Sequence, residues 1–297
     1  MENKKNLDAV IAKCSGCGSA MNYYPASQNL KCPNCGLEKE LKKSFEYKKH
    51  GINEAKEEKH SEWKTQNKIL KCVNCGAEII LNNLEYSGKC HYCGSSYSSV
   101  GSNLPDFTPD CVIPFVFDEN EAGNRFKEQL KRKYYVPSYC KKNVQPENIV
   151  GTYIPSFVFD AYVKAEYNGR LTKSHTTQIG KSTQTYTETF NISGTQKNDI
   201  KDVIVENSSK LTQQTLKKIL PFKMEKACKF SEGFILGYVV EHYENAFNVC
   251  YEQAKSEMKE RIKTEILKKY DYDSVQYFDM KCGFENEKYL YSLVPVY

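Results

Sequence analysis

Apolar and polar positions follow different rules on the two sides of residue 110. Before it, apolar runs are short. Between Leu37 and Lys71 the chain is dense in Lys and Glu, and Leu37, Leu41 and Phe45 recur every four residues until Gly51 breaks the pattern. This predicts a charged connector over 41–68, helical in part, holding the single tryptophan, Trp63. Such a charge run is a solvated face. Gly94–Asp110 is rich in Ser, Gly and Pro, and residues 101–110 are expected to link two domains.

After the linker the patterns lengthen. "CVIPFVFD", from Cys111, predicts a strand. Asp118 with Glu121 three residues on has the form of a helix N-cap, and Ala122, Phe126, Leu130 and Tyr134 space a helix over Glu119–Lys133. "GTYIPSFVFDAYVKAEYNGRL" predicts a strand pair or one long bent strand, and "TQTYTETFNISG" alternates as another strand. Ser208–Leu220 reads as a helix ended by Pro221. Over Tyr243–Tyr270, Tyr243, Phe247, Cys250, Ala254, Met258, Ile262 and Ile266 keep one face apolar against mixed Glu and Lys. That is a long amphipathic helix packed on a core. The tail from Tyr272, "YDSVQYFDMKCGFENEKYLYSLVPVY", reads as a β-hairpin. Proline recurs in "VIPFVFD", "YIPSFVFD" and "LVPVY", which suggests sheet edges or bulges. Residues 111–297 therefore predict an α+β domain with a mostly antiparallel sheet.

The N-terminal third carries the chemistry. Four C-x-x-C pairs stand at Cys14/Cys17, Cys32/Cys35, Cys72/Cys75 and Cys90/Cys93. Each is preceded by Lys (Lys13, Lys31, Lys71, Lys89) and followed by Gly (Gly18, Gly36, Gly76, Gly94). The second set repeats the first at a shift of 58 residues. Two thiolates separated by two residues can face one ion across a tight turn, and the following Gly permits positive φ. Two such loops on neighbouring hairpins complete a tetrahedral four-thiolate zinc site. The expectation is two zinc ribbons, 1–40 and 69–100, holding two structural zinc ions. Segments this short bury too little apolar surface to fold without metal. His91, inside the fourth loop, stands beside a full ligand set and reads as a loop residue.

The 297 residues suit about two domains. Thirteen cysteines, an odd number, argue against a disulfide framework where no secretory signal is read, and the expected location is cytoplasmic. The formal charge of +5 falls to about +1 once eight thiolates and two zinc ions are counted. The longest apolar run, Phe234–Val240, is far short of a membrane span.

Tests for an enzyme fail. "IGKST" at Ile179–Thr183 lacks the first glycine of a phosphate-binding loop, since His175 stands there. "VIPFVFDE" is a strand followed by a helix cap. No catalytic metal, nucleophile-elbow or dinucleotide motif is present, and four thiolates leave a zinc ion no open position.

"CSGCG…KCPNCG", "KCVNCGAEI…KCHYCG", "PDCVIPFVFDENEA", "GTYIPSFVFDA" and "FILGYVVEHY" together resemble a bacterial and phage family of tandem zinc-ribbon proteins, catalogued as transcription-factor-IIB-type zinc ribbon proteins or as primosomal-helicase-like. The resemblance spans nearly the whole chain. The helicase label is not carried over, because no helicase motor is present. Similar proteins are found beside phage-shock-protein-A-like and stomatin-like membrane-stress proteins, which implies an adaptor or scaffold with a protein partner and peripheral membrane association. Similar proteins also continue past "LVPVY" with Trp-rich strands, so the resemblance implies a C-terminal domain that is cut short here or completed by a partner.

Two function classes follow. One is a noncatalytic adaptor. The other is a nucleic-acid-binding protein of replication or transcription, with Lys13, Lys31, Lys71 and Lys89 meeting phosphates and Tyr23, Tyr24, Tyr86 and Tyr92 stacking on bases. Against the second, none of the four arginines lies before residue 125.

Overall fold

Three very long strands organise the computed structural model, which describes residues 12–55, 68–71, 78–81, 87–89, 95–98, 109–139, 149–180, 182–207, 222–240 and 245–297. The elements in chain order begin with β1 (Asn22–Tyr24), β2 (Asn29–Lys31) and β3 (Glu38–Lys39), an antiparallel sheet. Next come β4 (His50–Gly51), a 3-10 turn at Ile52–Glu54, β5 (Lys68–Lys71), β6 (Glu78–Leu81), β7 (Ser87–Lys89) and β8 (Ser96–Ser98). Then follow β9 (Cys111–Val112), α1 (Glu119–Arg132), β10 (Thr152–Ile179) and β11 (Ser182–Glu206). The chain ends with β12 (Cys228–Lys229), β13 (Val239–Val240), α2 (Phe247–Leu267) and β14 (Ser274–Val296).

The main sheet runs β11-β10-β14-β9-β12, with β13 beside β10 and β4 beside β14. It is mixed but mostly antiparallel: among the described residues only β10/β13 and β14/β9 pair in parallel. Together with the two α-helices among the described residues this is an α+β fold. The 28 residues of β10 reach about 90 Å at the usual rise per residue. Among the described residues no helix is long and apolar enough to cross a membrane.

A double irregularity divides the long strands. β11 carries an extra residue opposite Asp160 and β14 one opposite Ala161, and each uses a non-glycine residue at positive φ: Asp202 at 55° and Asn286 at 53°. Asx side chains tolerate this conformation best. Asp160 Oδ1 accepts a hydrogen bond from Asp202 N at 3.0 Å, tying the bulge. On one side of it, both sheet faces are buried. Phe157 and Phe159 pack with Phe247 and Tyr291 on one face, while Ile154, Val158, Leu290 and Val294 pack with Met224 and Ile113 on the other. On the other side, Val163, Ala165 and Tyr167 pack under Ala254, Met258 and Ile262 of α2, while Lys164, Glu166, Asn168 and Arg170 face solvent.

Several expectations change. The tail is one 23-residue strand, not a hairpin. Its turn signal, "GFENE", is spent on the Asn286 bulge, which shifts register without reversing the chain. The stretch from Thr152 is one long strand, one of the two forms expected for it, and its proline stands where a ladder ends although β10 lies between β11 and β14. Pro155 has no N–H, so the β10/β11 ladder stops at Ser156↔Glu206, with a last bond from Asn207 N to Pro155 O. Likewise β9 leaves β14 at Leu293, before Pro295. In the connector, residues 41–49 form no helix, and the 3-10 turn is the only helical part described. Leu41 packs toward Gly233, while Phe45 stays 63% exposed. The helix expected over 208–220 and the linker up to residue 108 lie outside the described residues.

The connector is docked onto the bulge. β4 pairs with β14 through His50↔Tyr289 and Gly51↔Lys288. Lys49 Nζ bridges Asp160 Oδ2 at 2.6 Å and Asp202 Oδ1 at 3.1 Å. His50 Nε2 lies 2.9 Å from Asp110 Oδ1, and Tyr291 N donates to Asp110 Oδ2.

Candidate metal centre

The first cysteine unit is built from two turns of the same design. Lys13 bridges Ala20 around the first turn, and Lys31 pairs with Glu38 around the second. In the first, Cys14 N donates to Ser19 O and Gly18 N to Cys14 O. In the second, Cys32 N donates to Leu37 O and Gly36 N to Cys32 O. Gly18 and Gly36 take φ of 74° and 76°, the left-handed region that a side chain would strain. The β1/β2 pairing brings the turns together, and the ligand atoms of Cys14, Cys17, Cys32 and Cys35 all lie within 4.8 Å of one another.

Cys14 Sγ is 3.5 Å from Cys35 Sγ, and Cys17 Sγ is 3.5 Å from Cys32 Sγ. These are free thiols, not disulfides. A tetrahedral ion with metal–sulfur bonds of about 2.3 Å places its sulfurs about 3.8 Å apart, so the cluster can hold one metal ion. The backbone prepares the site. The N–H groups of Cys17 and Gly16 lower the Cys14 thiol. The Ser19 hydroxyl and N–H lower Cys17 to about 6. For Cys35 the Leu37 N–H also works downward, but crowding by Cys14, Cys17 and Cys32 wins and pushes it up to about 12. Four sulfurs this close cannot all ionise without a cation between them.

Cys14 and Cys32 are buried; Cys17 and Cys35 face outward. The buried pair belongs to a core shared with the body: Met21, Tyr23 and Leu30 pack with Phe115, Tyr153, Phe234 and Tyr238. Tyr23 N donates to Leu236 O at 2.9 Å, and Tyr23 OH to Phe115 O at 3.1 Å. Burial pushes the Tyr23 phenol well above its ordinary range. The two cysteine turns are therefore fixed to the body and do not swing on a tether.

The second cysteine set, Cys72, Cys75, Cys90 and Cys93, lies outside the described residues, as do Tyr86 and Tyr92. The strands that bracket it are described. Lys71 pairs with Glu78 and Lys89 with Ser96. These are the pairs Lys13↔Ala20 and Lys31↔Glu38 moved along the chain by 58 residues. Among the described residues β1 pairs with β2, whereas β5/β6 and β7/β8 form separate two-stranded sheets. β7 and β8 also touch their neighbours. Ser87 Oγ donates to Tyr238 O, and Ser96 Oγ to Asn22 Oδ1.

Of the expected nucleic-acid contacts, Lys13 is exposed. Lys31 is committed: its ammonium lies 4.4 Å over the Tyr24 ring and 3.5 Å from Glu38. Tyr23 is buried and offers no ring face. A cleft of about 350 Å³ opens beside them, walled by Tyr24, Lys31, Pro33 and Tyr238 and by the acids Asp118 and Glu119. "IGKST" spans the reversal of a hairpin, with Gly180 at φ 65° between Ile179 and Ser182. Spacing alone did not reveal the clasp at Lys49 and His50, because its carboxylates lie 60 to 153 residues away in sequence.

Fold and site together define an α+β protein with a four-cysteine cluster, two of whose members are buried in a core shared with the body. No protein-family model matches the chain, and no solved structure does. Over 296 residues it is 26% identical to YdjG of Bacillus subtilis (strain 168), a protein described as uncharacterized; the match covers 96% of this chain and 81% of that protein.

Proposed function

We propose that the chain is a noncatalytic adaptor carrying two structural zinc ribbons, Cys14/Cys17/Cys32/Cys35 and Cys72/Cys75/Cys90/Cys93, and that it binds other proteins in a cytoplasmic, membrane-stress type of assembly. The observation that carries this reading is the repeated strand register: both cysteine sets are bracketed by the same pairs, 58 residues apart. All-sulfur donor sets favour zinc, and a closed tetrahedral site serves structure, not turnover. The first set also shares its core with the body, as a part that holds surfaces in fixed relation would.

The second reading, nucleic-acid binding through the ribbons, has Lys13 in its favour. Against it stand the committed Lys31, the buried Tyr23 and the acids lining the adjoining cleft. Two measurements decide. Metal analysis of purified protein is expected to give two zinc ions per chain, falling to one in a Cys72→Ser/Cys75→Ser variant; one ion in both would remove the second ribbon. A fluorescence-anisotropy titration against single- and double-stranded DNA and RNA is expected to show no binding at moderate salt. Micromolar binding that weakens log-linearly with salt and vanishes in the same variant would replace the adaptor reading with the nucleic-acid one.

A further inference from the structure

Helix α1 is anchored at one end only. Its N-cap is made by Asp118 Oδ1, which accepts from Glu121 N at 2.9 Å, and its buried residues are Ala122 and Gly123. From there the chain runs out into solvent. Phe126 is 50% exposed, Tyr134 100%, Tyr135 80% and Tyr139 76%. Phe126 and Leu130 stand one turn apart on one face, and Tyr134 and Tyr135 follow in the turn after the helix. Soluble surfaces carry single apolar residues routinely but seldom a connected group of exposed aromatics.

The cations around this group have a direction. Lys127, Lys131, Arg132 and Lys133 flank the apolar line, with Glu128 the single acid among them. None of the four makes an ion pair among the described residues. Arg125 is different: it is held by Glu121 and lies 4.5 Å over the Phe117 ring. The unpaired cations gather toward the helix C-terminus, where its dipole favours positive charge.

We infer that α1 and the turn after it form a docking surface for an anionic phospholipid bilayer. A helix lying in a membrane interface needs this combination: an apolar line to enter the acyl boundary, aromatic rings at headgroup depth, and cations that reach lipid phosphates. A nucleic-acid backbone would engage the same cations but would leave Phe126 and Leu130 in water. The surface is independent of the cysteine sites, so this inference goes beyond the adaptor reading and does not rest on it.

The test is flotation of the full-length protein with vesicles of phosphatidylcholine alone and of phosphatidylcholine mixed equally with phosphatidylglycerol. Binding to the mixed vesicles alone, falling steeply with salt, is expected. A Lys131→Glu/Arg132→Glu variant should bind at least about 25-fold more weakly, at roughly fivefold per lost cation near an anionic surface. A Phe126→Ser/Tyr134→Ser/Tyr135→Ser variant should also lose binding while keeping its circular dichroism spectrum and its zinc content, since all three side chains are exposed. The inference is overturned if the mixed vesicles do not bind, or if either variant floats like the parent. Binding of single-stranded DNA by the parent but not by the charge variant, without vesicle binding, would assign the surface to nucleic acid. Metal content measured on the same samples separates failure of the zinc reading from failure of this one.

Discussion

On one side of Asp160, β10 reads Ile154, Pro155, Ser156, Phe157, Val158, Phe159, and successive side chains enter two different cores. On the other side the same strand reads Ala161, Tyr162, Val163, Lys164, Ala165, Glu166, and every second side chain faces water. Strand neighbours are the same on either side of Asp160: between Ser156 and Thr172, β11 and β14 both flank β10. What differs is the covering. The first half is packed on one face by Phe247 and on the other by Ile113 and Met224; the second has α2 on one face and solvent on the other. A continuous apolar run thus marks a strand buried on both sides, and alternation marks one buried on one side. The boundary falls where both neighbours bulge, and the connector is pinned there.

On the proposed zinc reading, the largest expected difference between the halves comes from removing the ion. The cysteine unit shares the core of Phe115, Tyr153 and Phe234 with the first half. Structural zinc in ribbon peptides supplies about 10–16 kcal/mol of apparent binding energy. Cys14→Ser, or strong chelation, should therefore loosen β1, β2 and residues 232–240 while Val163–Tyr167 stay protected under α2. Amide exchange followed by mass spectrometry reads this directly; uniform loss of protection in both halves would show that they do not melt separately.

Next comes a matched pair of substitutions at even positions of β10. Val158 is fully buried, so Val158→Asp places an unpaired charge in a core and should cost about 3–5 kcal/mol. Glu166, eight residues along on the same face of the strand, is exposed, and Glu166→Val should change stability by no more than about 0.5 kcal/mol. Urea unfolding of both variants makes the comparison. Similar costs would mean that the open face is covered by something in solution. Ile262 of α2 is also fully buried, against the far half, and Ile262→Ala should cost about 2–5 kcal/mol by opening a cavity. A much smaller cost would indicate that the helix rests loosely on the sheet.

Much of this division could be read from the chain. The run at Ile154–Phe159, the alternation after it and the four-residue stripe through Cys250, Ala254, Met258 and Ile262 each follow from side-chain periodicity. The Cys14–Cys35 cluster followed from spacing and from Gly18 and Gly36. The errors share one cause. "GFENE" has the composition of a turn, and local composition does not distinguish a reversal from a bulge; the partner strand decides. Prolines in strands suggested edges or bulges, and Pro155 and Pro295 stand where the ladders to β11 and β9 have ended. The helical stripe of α1 was legible, but not that its contacts among the described residues gather between Asp118 and Arg125. Lys49 and His50 looked like ordinary members of a charge run, because their partners come from distant strands.

The smallest effect tests the pin between the halves. Burial works to lower the Lys49 ammonium, but hydrogen bonds and charge from Asp160, and then from Asp202, win and raise it above the ordinary 10.5. A group with a raised folded-state pKa adds stability that is fully present below its unfolded value and is lost as pH climbs through the folded one. Lys49→Met should therefore cost about 2 kcal/mol, on the scale of hydrogen bonds to charged groups, with a constant difference from the parent between pH 6 and about pH 10. Above about pH 10.5 the two proteins should converge, because the parent loses the same charge. Unfolding free energies of both proteins across that window check the sign. A gap that stays open at high pH would assign the cost of the substitution to lost packing of the lysine stem at the bulge, and the charge would then contribute nothing to holding the connector.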